Sequence, residues 1–410
     1  MITQTGRSSS ERLPLTTTQT PLWLEQLYLP GKPIANTGLS ATLHGHLDVP
    51  TFVEAVRLVV NETDTLRIRL SMDGAAVYQT VVDLPDYLIG QIDFSQASDP
   101  VAAADAWIEK HLWETIAWDS FPLFQYTLIK LGTRRHVWLQ KSNHLVIDGM
   151  GRQLLVRRTS EIYEALRKGR QPSAPGGATA AQIVAVNEQY LSSDAREQDL
   201  GYFRKTFEHL PAPLIQHDFR HSEKANTGRP TRIIKQISAQ EFGLLKSLAE
   251  SAGCSVSRIL LTLVFISLHR LYRLDDIAVG FALHNRTTPA FKKTIALFTQ
   301  NLPIRLSVSA DTSFSTLIGR ANAAIEQARP HSRFPLTELS NLFKSARQGR
   351  GLYDVLFNYI PPASESGFEN ISIDAVSLSH AFFLPLTITC SHPNPQSPVR
   401  LTVDYDRGLI

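Results

Sequence analysis

Cysteine is nearly absent: the 410 residues hold two, Cys254 and Cys390. Two thiols cannot build a disulfide framework, nor a metal site by themselves. The expectation is a reduced, cytoplasmic setting with both thiols buried and inert. Long apolar runs are missing too. The longest, near residues 259–268, is about half of the roughly 20 residues that a bilayer span needs, so no membrane partner is expected. The first residues, MITQTGRSSSER, lack the apolar stretch of a secretory signal. Charge of one sign is scarce as well. The 41 Lys and Arg against 38 Asp and Glu leave a net charge of +3 with no long basic run, which argues against nucleic acid. Catalytic signatures are also missing. There is no G-x-S-x-G elbow, which disfavours a serine hydrolase. No glycine-rich phosphate loop of Walker or dinucleotide type occurs. H-E-x-x-H is absent and the histidines are scattered, so no metal is expected.

What is present is a globular composition, with 43% apolar and 19% charged residues. The length suits two to three average domains or one large one. Alternation at 38–47 predicts a half-buried strand, and apolar spacing at 51–60 and 101–118 predicts helices. Residues 123–131 and 135–141 read as two strands joined by a turn at Gly132-Thr133, and 151–169 as a helix. The run RQPSAPGGATA at 170–180 breaks any regular element and reads as a linker between two halves. Beyond it, 181–210 reads as helical and 232–237 as a strand. Ser238 with Glu241 forms a capping-box pattern. A buried helix at 255–273, strands at 277–283 and 302–308, a helix at 314–328 and strands at 354–359, 384–389 and 399–404 complete the reading. Each half is a mixed α/β unit, without a short-period repeat.

The segment that carries chemistry is Asn143-His144-Leu145-Val146-Ile147-Asp148-Gly149, after a predicted strand and before a helix. A histidine in such a loop is placed to meet substrate. Its neutral imidazole can take a proton from an amine or alcohol. Asp148 is able to orient it, or to be held by an arginine instead. Gly149 lets backbone approach a ligand closely. On these grounds alone, a lone His beside an Asp is more often structural.

This segment resembles the HHxxxDG motif of condensation domains in nonribosomal peptide synthetases, and other blocks of that family follow in order. Pro14-Leu15-Thr16, Gln19, Leu22 and Trp23 resemble the opening "PLT..Q..LW". Glu62-Thr63-Asp64-Thr65-Leu66-Arg67 resembles "RHExLR", keeping its Leu-Arg core. IAVGFALHNR at 277–286, FTQNLPIR at 298–305, DVLFNY at 354–359 and the strand at 401–405 resemble "IGxPxxGR", "FVNTLPLR", "VLFNYQ" and "LxxxYD". The resemblance covers residues 13–410.

The resemblance implies an α/β fold of two chloramphenicol-acetyltransferase-like lobes in a V-shaped pseudo-dimer, with a tunnel between them. The expected division is a flexible leader at 1–12, an N-terminal lobe at 13–175 carrying the motif, and a C-terminal lobe at 176–410 lacking the family's final helix. The family joins a donor acyl thioester to an acceptor amine. His144 would be the catalytic histidine and Gly149 would matter where backbone meets substrate. Asn143, which replaces the first His and can still donate and accept, would support the motif. Asp148 would be held by Arg67. Gln300 and Asn301 would line the tunnel near the acceptor, or only satisfy backbone groups. No cofactor would be bound, the substrates arriving on coenzyme A and phosphopantetheine. Because Met1 stands shortly before the first block with no carrier domain ahead of it, the expected subtype is a starter domain. Its donor would be a fatty acyl-CoA, its acceptor an aminoacyl carrier protein, with an adenylation domain downstream in the same synthetase. The alternatives are an elongation domain with a carrier-bound donor, an ester-forming relative, or a non-catalytic domain that recruits partners.

Overall fold

The computed structural model describes residues 11–215, 231–343, 351–362, 367–378, 384–392 and 398–407. Most of the expected leader therefore lies outside the described residues. The chain divides into two compact units. The first comprises Met1–Glu188, Arg286–Phe298 and Ser364–Ala381; the second comprises Gln189–Asn285, Thr299–Ala363 and Phe382–Ile410.

The first unit opens with β1 (Leu13–Pro14), α1 (Gln19–Tyr28), β2 (Asn36–His44) and α2 (Val49–Glu62). It continues through β3 (Ile68–Asp73), β4 (Ala76–Val81), β5 (Gly90–Asp93), α3 (Pro100–Leu112), β6 (Phe124–Gly132), β7 (Arg135–Asn143), α4 (Gly149–Arg167) and α5 (Ala180–Leu191). Period-two alternation along β7 splits its side chains between two cores. Trp138 packs with Phe52, Val56, Leu155 and Tyr163 of α2 and α4. Val137 and Leu139 pack with Ala104, Ile108 and Leu112 of α3. Local chemistry starts the helices where the chain needs them: Asp48 caps α2, accepting from the Thr51 amide at 3.3 Å, with a proline in the first turn.

The second unit contains α6 (Asp194–Thr206), β8 (Thr231–Ile237), α7 (Ala239–Ser251), α8 (Val256–Tyr272), β9 (Asp276–Leu283), β10 (Gln300–Ser307), α9 (Phe314–Ala328), α10 (Leu336–Phe343) and β11 (Val355–Ile360). The chain then supplies β12 (Ser372–Ser377) to the first unit, and β13 (Leu386–Ser391) and β14 (Val399–Tyr405) to the second. The first unit's main sheet runs β12-β2-β7-β6-β5 and the second's β10-β9-β11-β13-β14-β8. In the second unit α8 and α9 bury Phe265, Leu268, Leu317 and Ile325 against Val279, Ile304 and Phe357. The capping box at Ser238 and Glu241 forms as its sequence pattern requires.

Two expectations change. The boundary does not fall at 175/176. Residues 176–188 belong to the first unit because Ala180 and Val184 pack on Leu13, Ile183 packs on Phe291 and Phe298, and the Ala180 amide donates to Asp64 at 3.2 Å. The helix expected at 101–118 stops at Leu112, because the buried Asn36 amide donates to the carbonyls of Leu112 and Glu114, both at 2.8 Å. The stretch expected to be helical at 181–210 is two helices, broken where Ser193 adopts an extended conformation before α6. Among the described residues no single helix is long and apolar enough to cross a membrane.

Gly280 on β9 is fixed by packing. A Cβ added there would lie 2.3 Å from Cε2 and 2.6 Å from Cζ of Tyr353, a ring that is itself 6% exposed. Gly280→Ala is expected to cost about 1–3 kcal/mol as overpacking, read as a lower urea midpoint at unchanged m-value. An unchanged midpoint would mean that the Tyr353 ring moves freely.

Candidate active site

β7 delivers the motif. Asn143, its last residue, is fully buried and its amide is spent on structure. Nδ2 donates to Gln26 Oε1 at 2.7 Å and to the Ile116 carbonyl at 2.9 Å, while Oδ1 accepts from the Leu145 amide at 3.1 Å. The His144 amide donates to the Ala35 carbonyl at 2.7 Å. Leu145, Val146 and Ile147 all sink into the core between sheet and helices. Gln19 of α1 braces the loop, donating to the Leu145 carbonyl at 3.2 Å and sharing a 3.1 Å amide pair with Gln79. The polar residues of the opening block thus hold the motif in place.

With its neighbours anchored, His144 is half-buried; its Nδ1 is shielded from solvent, and the backbone at His144 and Ile147 lies close enough to act on the ring. Burial lowers its pKa below the ordinary histidine value, and the Arg152 charge lowers it further against the opposing pull of Asp148. Burial thus favours the neutral ring.

Asp148 caps α4 and is fully buried. Its Oδ1 accepts from the Gly151 amide at 2.7 Å and its Oδ2 from the Phe298 amide at 3.0 Å. Arg286 grips both oxygens, Nη1 on Oδ2 and Nη2 on Oδ1, each at 2.8 Å. The same guanidinium donates to the Ala296 carbonyl at 3.1 Å and lies 4.8 Å from the Phe298 ring centre. Burial alone would raise this carboxyl. The Arg286 charge and the converging donors outweigh it and hold the group well below the usual carboxylate range.

Arg67 is therefore not the partner of Asp148. It closes the short turn Asp64–Arg67 and pairs with Asp64 and Asp83, both at 3.0 Å. The i,i+3 spacing inside that turn puts Asp64 within reach of Arg67. Arg286 was visible as the last residue of the 277–286 block, but it faces Asp148 across 138 positions of sequence.

Glycine roles also divide differently. A Cβ on Gly149 would meet nothing within 4 Å. Gly151 is the one required by packing. A Cβ there would lie 2.8 Å from Ile147 Cγ1, 2.9 Å from the Ala296 carbonyl oxygen and 3.2 Å from Asp148 Oδ1. A cavity of about 380 Å³ opens between α4, residues 173–179 and residues 292–295, but no residue of the motif lines it. It is walled by the Arg158–Glu62 pair.

In the second unit, Gln300 and Asn301 start β10. Gln300 is 8% exposed and donates to the Phe334 carbonyl, and Asn301 is half-buried in register with Ala282.

The family model described as "Condensation domain" matches residues 9–381. The chain belongs to the condensation-domain family. It is 26% identical over 390 residues to a dimodular nonribosomal peptide synthase of Bacillus subtilis (strain 168), covering 95% of this chain and 16% of that protein. It is 25% identical over 331 residues to an isonitrile lipopeptide synthase of Streptomyces coeruleorubidus, covering 80% and 22%. The chain thus spans less than a quarter of the length of these two relatives. The first condensation domain of the CDA synthetase superposes with a TM-score of 0.85 at 26% identity, over 98% of this chain and 93% of that one. The starter condensation domain of rhizomide synthetase RzmA, in complex with C8-CoA, superposes at 0.86 with 23% identity over 97% and 90%, a likeness of fold. Condensation domains form amide bonds in nonribosomal peptide synthesis and need no bound cofactor. Their fold is the α/β, two-lobed acetyltransferase-like architecture that the two units of this condensation domain build.

The Asp148–Arg286 pair tests the architecture of the site. Asp148→Ala or Arg286→Ala alone leaves a buried charge uncompensated and is expected to cost about 3–5 kcal/mol. The double variant is expected to cost clearly less than the sum. Urea denaturation of the four proteins reads this coupling, and simple additivity would remove the pair from its structural role. The contribution is complete above the ordinary aspartate pKa of about 4 and is lost as pH falls below that, through the depressed folded value.

Proposed function

We propose that this condensation domain is a starter domain that joins a fatty acyl group from coenzyme A to the amine of an aminoacyl group on a downstream carrier protein. The observation that carries the catalytic part is His144: a half-buried imidazole whose neutral form burial favours, held in a loop between the anchored Asn143 and Leu145. A partner-recruiting domain without catalysis has no need of such a ring. The acceptor amine attacks the thioester carbonyl carbon, the new C–N bond forms and the C–S bond breaks. His144 takes the proton released by nitrogen and passes it to the departing sulfur. General-base assistance of this kind contributes roughly 10²–10⁴-fold.

Asn143 and Asp148 hold the loop, and Arg67 supports the adjoining turn. The open space beside Gly149 is where an added Cβ would meet substrate. Gln300 and Asn301 are proposed to contact the acceptor. The similarity to an isonitrile lipopeptide synthase and to a first condensation domain supports an acyl donor. A synthetase supplies the carrier protein and an adenylation domain that loads it, in a cytoplasmic setting.

The test presents the protein with an aminoacyl carrier protein and acyl-CoA donors from acetyl to dodecanoyl. Apolar burial of about 0.8 kcal/mol per CH₂ predicts that affinity rises with chain length up to a limit. His144→Ala is expected to lower turnover by about 10²–10⁴ at unchanged thermal midpoint. A flat donor profile, or a strict need for a carrier-bound peptidyl donor, defeats the starter reading in favour of elongation. Near-normal transfer by His144→Ala removes the residue from the mechanism.

A further inference from the structure

The cavity of about 380 Å³ beside α4 is walled entirely by the first unit and carries positive charge that its own structure does not use. Arg157, Arg158, Lys292 and Lys293 line it, together with the acidic Glu62, Asp64 and Glu161. Each acid is committed to an arginine. Glu62 accepts from Arg158 at 2.5 and 2.9 Å, Glu161 from Arg157 at 2.9 Å, and Asp64 from Arg67 at 3.0 Å. The two lysines are exposed, and neither is paired with a carboxylate among the described residues.

The facing wall is held close by its own contacts. Arg158 donates to the Ser173 carbonyl at 2.6 Å, and the Ala178 amide donates to Thr294 Oγ1 at 2.8 Å, so the loop between is fastened at both ends. In its middle stand Gly176 and Gly177, whose amides make no hydrogen bond among the described residues. Lys293 crosses Gly176 so closely that a Cβ there would lie 3.0 Å from its Cδ and 3.6 Å from its Nζ. A Cβ on Gly177 would lie 3.2 Å from the Lys293 carbonyl oxygen. Two glycines in succession thus let an ammonium and uncommitted peptide N–H groups share one rim.

The donors left over select the ligand. Arginine forks match planar carboxylates, and here they are turned on Glu62 and Glu161. What remains is point-like ammonium charge and successive backbone amides, which suit a tetrahedral oxyanion. The volume falls in the range of small-molecule sites rather than that of a bare ion. We propose that this cavity binds an organic phosphate, its phosphoryl group held by Lys292, Lys293 and the Gly176 and Gly177 amides. The phosphates of coenzyme A and those of a free phosphorylated metabolite share that chemistry. The site stands on the cavity itself; only coenzyme A as the source rests on the reading of the donor. Residues 292–295 of its wall run directly into Ala296, whose carbonyl accepts from the Asp148 amide at 3.2 Å, so an occupant and the motif share one stretch of chain.

Calorimetric titration of the protein, without acyl group or carrier protein, tests this with three probes. Coenzyme A has both phosphates and pantetheine arm, adenosine 3′,5′-bisphosphate has phosphates without the arm, and pantetheine has the arm alone. The bisphosphate and coenzyme A are expected to bind, more weakly as salt is raised. In Lys292→Ala/Lys293→Ala both are expected to bind about tenfold more weakly or worse, at unchanged thermal midpoint, while the response to pantetheine stays as in the wild type. Gly176→Ala, which pushes Lys293 aside, is expected to weaken the same two probes. Coenzyme A bound much more tightly than the bisphosphate upholds the site with coenzyme A as its source. Equal affinities uphold it with a free phosphorylated metabolite as its source. Failure of both phosphate probes to bind at millimolar concentration overturns the proposal, as does binding that the lysine double variant leaves unchanged. Lysine-dependent binding of the bisphosphate in a protein that transfers no acyl group from coenzyme A would sink the starter reading and leave this site standing.

Discussion

The buried ion pair between Asp148 and Arg286 is the constraint on which the site depends. A carboxylate without solvent exposure is tolerable only when its lone pairs are filled, and this one is filled by three groups: the Gly151 amide of its own helix, the Phe298 amide and the Arg286 guanidinium. The aspartate serves two elements at once. It starts α4, and it fastens a segment that the chain reaches only after building much of the second unit. Its charge pulls the His144 imidazole towards its protonated form, against burial.

The division between anchoring and reactive groups runs through single residues of the motif. Asn143, Leu145, Val146, Ile147 and Asp148 are all consumed by packing or hydrogen bonding. Among the motif's polar side chains, Asn143 and Asp148 are fully buried and His144 is only half-buried. Gly151, outside the motif as read, is what lets the helix, the Ala296 carbonyl and Ile147 approach one another. A reactive group in a loop needs such over-determination, since a loop has no ladder of its own to hold a side chain at fixed geometry.

Local signals were legible and long-range ones were not. α9 runs from Phe314 to Ala328 as its spacing demands, and the hairpin turn, which falls at residues 133–134, one position later than expected, and the Ser238–Glu241 box needed only neighbours a few residues away. β12 escaped notice because SIDAVS carries little pattern until β2 pairs with it. The early end of α3 is enforced by Asn36, a residue far upstream whose amide competes for helix-terminal carbonyls. The same limit explains the arginine. Both Arg67 and Arg286 stood in recognised blocks, and only folding tells which of them reaches Asp148.

The first unit is assembled from three separated stretches of chain, and this sets a timetable for its manufacture. While the ribosome is still extending the polypeptide, Asp148 is exported long before Arg286, and β2 waits for its edge neighbour β12 until residues 372–377 have emerged. A nascent amino-terminal half therefore exists for a time with an unmatched carboxylate and an open sheet border, the surfaces on which unfinished chains find wrong partners. Recombination between synthetases meets the same arithmetic. A crossover placed anywhere between residues 149 and 285 separates the aspartate of one parent from the arginine of the other. Such a hybrid inherits both residues by name and still has to recover their fit.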